Sequence, residues 1–364
     1  MAKKKRGKKM CALALTAAVA GSVLPAGQTT EARAEGLEVN SYEPSWDSVE
    51  QVTAAPEWFQ DAKFGIYFHW GAFTTPEHVD EWYGQHMYNG SGAGYDYHVN
   101  TYGWPTEWPY HNFIVGAEDK AGNWVQFAPK LTADYAQGSE DGKFDPNAWA
   151  KLFKEAGAKF AGPVMEHHDG YSMWDSDVNP WNSVDLGPKL DLAELFVEAI
   201  RGEDMKVLSA MHHAYNVTGG FYSSAWDEKP WETPVEGMTV DDMKKLYGQF
   251  STEEERDEYW LAKLKEVIDK YDPDIIWQDF QVGLLSEEAR LEFLSYFYNK
   301  DVEENGDGVV ATYKYNHEIN DGFTEQSAVP DYERGGPGGM RDFYWLTDDS
   351  VSQGTWSYTD GMQY

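Results

Sequence analysis

Polar residues stand wherever a short apolar run ends. His69 and Trp70 follow "FGIYF"; Glu166, His167, His168 and Asp169 follow "KFAGPVM"; His212 and His213 follow "KVLSAM"; Asp279 follows "DIIWQ"; Glu333 follows "AVPDY". Imidazole and carboxyl groups can move protons, attack an electrophilic carbon or ligate a metal, and indoles can lie against apolar faces. Loops begin with polar residues for bland reasons too, so the types alone do not make a site. A site requires an architecture that brings these ends together.

The apolar runs supply one. Strands are expected at 64–68, 159–165, 206–211, 274–278, 309–313 and 328–332. Between them come helices at 146–156, capped by Asp145 and stopped by Gly157, then at 192–201, 253–271 and 287–299, the last capped by Ser286. Near-continuous apolar strands alternating with amphipathic helices indicate an α/β fold with a parallel sheet covered by helices. The expectation is a (β/α)8-like, TIM-type barrel, in which strand ends converge on one rim around a cavity. Six strands are two short of eight, so the barrel is either disguised in part or incomplete at the C-terminus.

Three further features frame the chain. The basic run Lys3 to Lys9, an apolar stretch from Met10 to Ala26 and small residues at Ala32 and Ala34 read as a signal peptide over 1–34. That predicts a secreted or periplasmic protein with no membrane span after cleavage. Cys11, the single cysteine, falls inside this segment, so no disulfide or thiolate metal site is expected in the mature chain. Losing seven Lys or Arg and one Glu takes the formal charge from −33 to −39, a surface that repels nucleic acid. Residues from about 74 to 143, rich in Gly, Tyr, Trp and Asn, show no sustained period and read as a long insertion, usually functional at that length. Aromatic residues make up 15% of the chain, and Trp and Tyr are the side chains that stack on sugars while bonding a hydroxyl.

Several long motifs resemble one family. "WFQDAKFGIYFHWGAFTTPEHVDEWYGQHMYN", residues 58–89, is similar to the opening of family-29 glycoside hydrolases, the α-L-fucosidases. So is "FDPNAWAKLFKEAGAKFAGPVMEHHDGYSMWDSDVNPWNS", residues 144–183, and "YDPDIIWQDF", residues 271–280, resembles their nucleophile strand. The likeness covers nearly all of the chain after residue 34, as a catalytic domain of residues 35–364 without the C-terminal β-sandwich usual in the family.

The resemblance implies retaining hydrolysis of terminal α-L-fucosyl linkages in fucosylated glycans, with no cofactor and no metal. Asp279 takes the nucleophile position. Glu333, in "VPDYERGG", is the choice for acid/base, with Glu318 and Glu325 as competitors and a salt bridge to Arg334 or Arg341 as its bland alternative. Retention needs the two carboxyl groups roughly 5–5.5 Å apart. His69, Glu81, Trp82, His167, His168 and Trp277 match sugar-binding positions, and His212 joins them although "HHAYN" departs from the expected Tyr-rich form. Three alternatives stay open: another α-glycosidase specificity, a carbohydrate-binding protein without turnover, and a metal-dependent barrel hydrolase using the histidines. Adjacent His167 and His168 on one strand would point to opposite sides, so both could serve the last only if the strand breaks there. The acidic run 301–307 resembles a calcium loop, but Thr312 stands where the twelfth-position Glu belongs.

Overall fold

The computed structural model describes residues 41–363, apart from 224–225, 227–228, 305 and 316–321. Six parallel strands form one sheet in chain order: β1 (Gly65–Phe68), β2 (Phe160–Glu166), β3 (Lys206–Met211), β4 (Ile275–Gln278), β5 (Val310–Lys314) and β6 (Val329–Asp331). Every expected strand forms, each within a residue or two of its expected bounds. Four long helices pack outside: α1 (Pro146–Glu155), α2 (Leu192–Gly202), α3 (Glu253–Tyr271) and α4 (Glu287–Glu304). Their starts are set locally. Asp145, Asp191 and Thr252 each accept the backbone N–H three residues on, and Pro146 fills the first position of α1, where no donor is missed.

The strands are apolar on both sides because both sides are buried. Val164, Leu208, Ala210, Ile275, Trp277, Val310 and Val329 pack together on the inner face, with Tyr67 and Leu346 against them. The larger core lies between the outer face and the helices. Register then lines up the site. Gln278 pairs with Tyr313 and Lys314 with Asp331, so Asp279, Lys314 and Asp331 stand level on three neighbouring strands.

Among the described residues the six strands do not close an eight-stranded barrel. At its free edge Asp331 forms a single bridge to Leu346, and just past β1 His69 forms one to Ser357. Leu346 N–H donates to the Pro330 carbonyl and Tyr332 N–H to the Leu346 carbonyl. One irregular segment, 346–357, thus touches both ends of the sheet and pairs backbone groups at the β6 edge that a bare edge would expose.

The insertion is not structureless. It holds helices at Tyr83–His86, Ala93–Thr101 and Asn112–Val115 and a two-strand ribbon, Ala117–Glu118 with Trp124–Val125. Two of these helices have only four residues, which leave no period to read. Aromatic packing holds the insertion: Tyr102, Trp108 and Phe113 meet at 4.6–5.1 Å between ring centres. No helix among the described residues is long and apolar enough to cross a membrane.

Candidate active site

Asp279, one residue past β4, is the centre of the site and is only 4% exposed. His168 Nε2 and His212 Nδ1 each lie 3.2 Å from its Oδ2, and Lys314 Nζ lies 3.6 Å from its Oδ1. Burial alone would raise the carboxyl's pKa, but Lys314 and the two imidazoles overcome it and hold the group well below the usual carboxylate range. A helix cap or solvated loop acid would have none of these partners.

The His pair reaches the site because the strand ends before it. β2 stops at Glu166, and its register with β3 shifts between Val164 and Glu166. The strand break that the two rings need in order to meet at one site is therefore present, and they lie 4.3 Å apart. Gly170 closes the turn at φ +79°, where a Cβ would come within 2.3 Å of the Leu246 carbonyl oxygen. His168 Nδ1 faces the His212 carbonyl at 2.9 Å, and Asn216 donates to the His168 carbonyl at 2.8 Å.

His69, His167 and His212 cluster with ring centres 5.0–5.4 Å apart. Burial lowers the pKa of each, His212 to about 4 despite the opposing pull of Asp279. They are neutral near pH 7 and can donate to or accept from hydroxyl groups. Trp82 packs 5.0 Å from His168 and 6.0 Å from Phe280, making an aromatic wall with Tyr215. Glu81 accepts the Trp356 N–H at 2.9 Å, tying the first loop to the C-terminal segment. Trp277 is buried, and its indole N–H donates to Asp331 at 2.6 Å, so only its ring face is left for a ligand.

Glu333 sits at the rim, its side chain 43% exposed, with Lys314 Nζ 3.2 Å from Oε2. The bland expectation is not met: Arg334 pairs with Asp349 at 3.2 Å, and Arg341 bonds the Pro337 carbonyl. Among the contacts of the described residues none joins Glu325 to Asp279, and Glu318 lies outside the described residues.

Other strand-end residues turn away. His213 stacks on Trp260 at 5.9 Å. Glu166 forms a fully buried ion pair with Lys263 of α3 at 2.6 Å, and Asp169 accepts from Tyr110 at 2.7 Å. Trp70 packs against Phe127, Phe144 and Trp149. These brace the loops that carry the site residues.

Sequence reading missed Lys314, Asp331, Asp348, Tyr67 and Trp356. Tyr67 donates to Asp348 at 2.6 Å; burial raises the pKa values of Asp331 and Asp348, helped by the charge of Asp348 for the first and those of Glu333 and Asp279 for the second. Lys314 ends "VATYK" as the other polar residues end their strands, a signal that was available. A metal could find donors here, since the ligand atoms of His69, His167 and His212 lie within 4.8 Å of one another, as do those of His168, His212 and Asp279. Lys314 beside Asp279 opposes a cation in the second group.

A parallel α/β sheet with acids and imidazoles gathered beyond its carboxyl ends has the plan of a (β/α)-barrel enzyme. The chain belongs to the α-L-fucosidase family, whose model matches residues 29–364. It is 27% identical to tissue α-L-fucosidase of Rattus norvegicus over 333 residues, covering 91% of this chain and 62% of that protein. With tissue α-L-fucosidase of Homo sapiens it shares 30% identity over 239 residues, 65% of this chain and 42% of the relative. Among solved structures it is similar to Thermotoga maritima α-fucosidase in complex with fucose, with TM-score 0.60 and 23% identity over 88% of this chain and 65% of that one. It is also similar to AlfC of Lactobacillus casei in complex with α-L-fucose product, with TM-score 0.53 and 17% identity over 84% of this chain and 82% of that one. The chain thus spans under two thirds of the length of the rat relative.

Proposed function

We propose that this protein is a retaining exo-α-L-fucosidase acting on fucosylated glycans, with Asp279 as nucleophile and Glu333 as acid/base. The observation that carries the reading is the pairing of a buried, ionised Asp279 with a rim-exposed Glu333 across one lysine. The two Lys314 contacts put an oxygen of each acid within about 7 Å of the other, a span that admits the retaining separation. Oδ2 faces both imidazoles, which leaves Oδ1 to attack the anomeric carbon. Glu333 protonates the leaving oxygen, then takes a proton from the water that releases the sugar. Neutral His69, His167 and His212 with Glu81 bond the ring hydroxyls, and Trp82 supports an apolar face.

The first test compares turnover of an aryl α-L-fucoside with the matching α-galactoside. Preference for the fucoside supports the reading, and preference for the galactoside moves the specificity to another α-glycosidase. A 2-deoxy-2-fluoro-fucosyl donor with a good leaving group should label Asp279, detected by mass spectrometry of peptides. Label on another residue, or no label with turnover intact, overturns the assignment. Absence of all turnover with fucose still bound would make the chain a binding protein, and loss of turnover on chelation would revive the metal reading.

We also infer export, on the basic and apolar pattern of residues 1–34, which lie outside the described residues. N-terminal sequencing of protein from the medium or periplasm should begin near Glu35.

A further inference from the structure

Lys314 stands between both proposed catalytic acids and two more carboxyl groups. Its Nζ lies 3.6 Å from Asp279, 3.2 Å from Glu333 and 3.7 Å from Asp348, and strand register sets Asp331 opposite. The rings of Trp277 and Trp356 cover it at 5.1 and 5.4 Å, with Arg334 over the Trp356 ring at 4.9 Å. His168 and His212, which share Asp279, Tyr67, which shares Asp348, and His69 are the remaining titratable groups that act on it or share its partners. Burial would lower its pKa, but the four acids push it above the ordinary lysine value, so it is a permanent cation. Asp348 is held by Tyr67 and Asp331 by Trp277, each at 2.6 Å. Asp279 and Glu333 are the two neighbours whose charge must change during turnover.

We propose that Lys314 is a positioning residue that passes its ion pair from Asp279 to Glu333 as the glycosyl–enzyme forms, keeping Glu333 ionised as base for the second step. The inference rests on the retaining reading above. In the first step Oδ1 bonds to C1 and the C1–O bond to the leaving group breaks, its electron pair going to the oxygen that takes the Glu333 proton. Asp279 is then a neutral ester and Glu333 an anion, so the charge around Lys314 is conserved while its partner changes. In the second step water gives its proton to Glu333, its oxygen bonds to C1, and the C1–Oδ1 bond breaks. Without the cation, the new anion would face Asp348 uncompensated and would hold a proton, idle as a base. A lysine that only braced the sheet would not distinguish the two steps.

The experiment is pre-steady-state release of phenol from an aryl α-L-fucoside with a good leaving group, which needs little acid help in the first step. Lys314→Met should give a burst near one equivalent of enzyme, then steady turnover reduced roughly 10²-fold, the scale of a lost base. Azide, which needs no base, should restore the rate, and the acid limb of turnover should move to higher pH. Lys314→Arg should keep most of the second step and separates loss of charge from loss of fold. Wild-type burst and turnover in Lys314→Met would overturn the proposal, as would a loss with no burst and no azide rescue in a variant that melts like wild type. Asp279→Gly is run beside it: full turnover there would sink the retaining reading itself, whereas an inactive Asp279→Gly with an unaffected Lys314→Met sinks only the role of Lys314.

Discussion

The indole N–H of Trp277 donates to Oδ2 of Asp331 at 2.6 Å, and each residue stands two places before a proposed catalytic acid, Asp279 and Glu333. The bond crosses the inner face between β4 and β6, with β5 between them. It fixes the two strand ends relative to each other just below the site, where a shift of about 1 Å can cost about a hundredfold in rate. Trp277→Phe keeps an aromatic ring against Tyr67, 5.5 Å away, and removes the donor. We expect a loss of about 1–3 kcal/mol in stability from the unpaired carboxyl. We also expect kcat to fall more than KM rises, because binding groups on the His loops are untouched. Urea unfolding and steady-state kinetics check both, and an equal effect on kcat and 1/KM would argue against a spacing role.

Removal of either acid should separate their roles. Asp279→Ala should abolish nearly all turnover, by at least about 10³-fold, while the melting curve keeps its shape. Glu333→Ala should lose activity in proportion to leaving-group basicity, with good leaving groups or azide restoring it. Wild-type-like activity in Glu333→Ala would move the acid/base to Glu325 or Glu318.

How much of this was legible beforehand follows from what each signal depends on. β1 to β6 and the four long helices rest on local pattern, apolar runs flanked by Asp145 and Pro146 or closed by Gly157, and they formed as expected except that α4 continues to Glu304, past its expected end at 299. Asp279 and the His residues were visible because a polar group at the end of a buried strand is conspicuous. The inward turn of both His167 and His168 was not, since it depends on a register shift between β2 and β3 that no single strand encodes. Lys314 was passed over because lysine at a strand end reads as a solvated charge; only the convergence of Asp279, Glu333, Asp331 and Asp348, from three separate stretches of sequence, makes it central. The irregular segment 346–357 has no strand period, so its bridges to Asp331 and His69 are tertiary information alone.

The ion pair of Glu166 with Lys263 is buried on both sides at 2.6 Å, and Ser172 donates to the other carboxylate oxygen at 2.7 Å. Breaking one half leaves an uncompensated charge inside the protein. Lys263→Met should therefore destabilise by about 3–5 kcal/mol, while the double change with Glu166→Gln should recover much of that loss. Because Glu166 immediately precedes His167, the single variant should also raise KM for an aryl fucoside. Denaturant midpoints of the two singles and the double decide the matter: strict additivity would deny the coupling.

His98 gives the chain an acid-labile point inside the insertion. The ring is fully buried, with Tyr83 Oη 2.9 Å from Nδ1 and the Trp108 carbonyl 2.9 Å from Nε2. The carbonyl requires a proton on Nε2, so Nδ1 accepts from the tyrosine hydroxyl and the ring is neutral. Burial lowers its pKa to about 4, with the carbonyl contact opposing the shift. Between the unfolded value of about 6.5 and that folded value, the unfolded chain binds a proton that the native ring refuses. The contribution of this histidine is therefore complete above pH 6.5, falls as pH drops through the window, and levels off below about 4. A shift of that size corresponds to at most about 3 kcal/mol. Unfolding midpoints measured from pH 7.5 to 4 should decline less steeply in His98→Gln than in wild type, although the variant starts lower at pH 7.5. Parallel curves would show that the histidine is already protonated in the native protein, or that the insertion opens without affecting the rest of the fold.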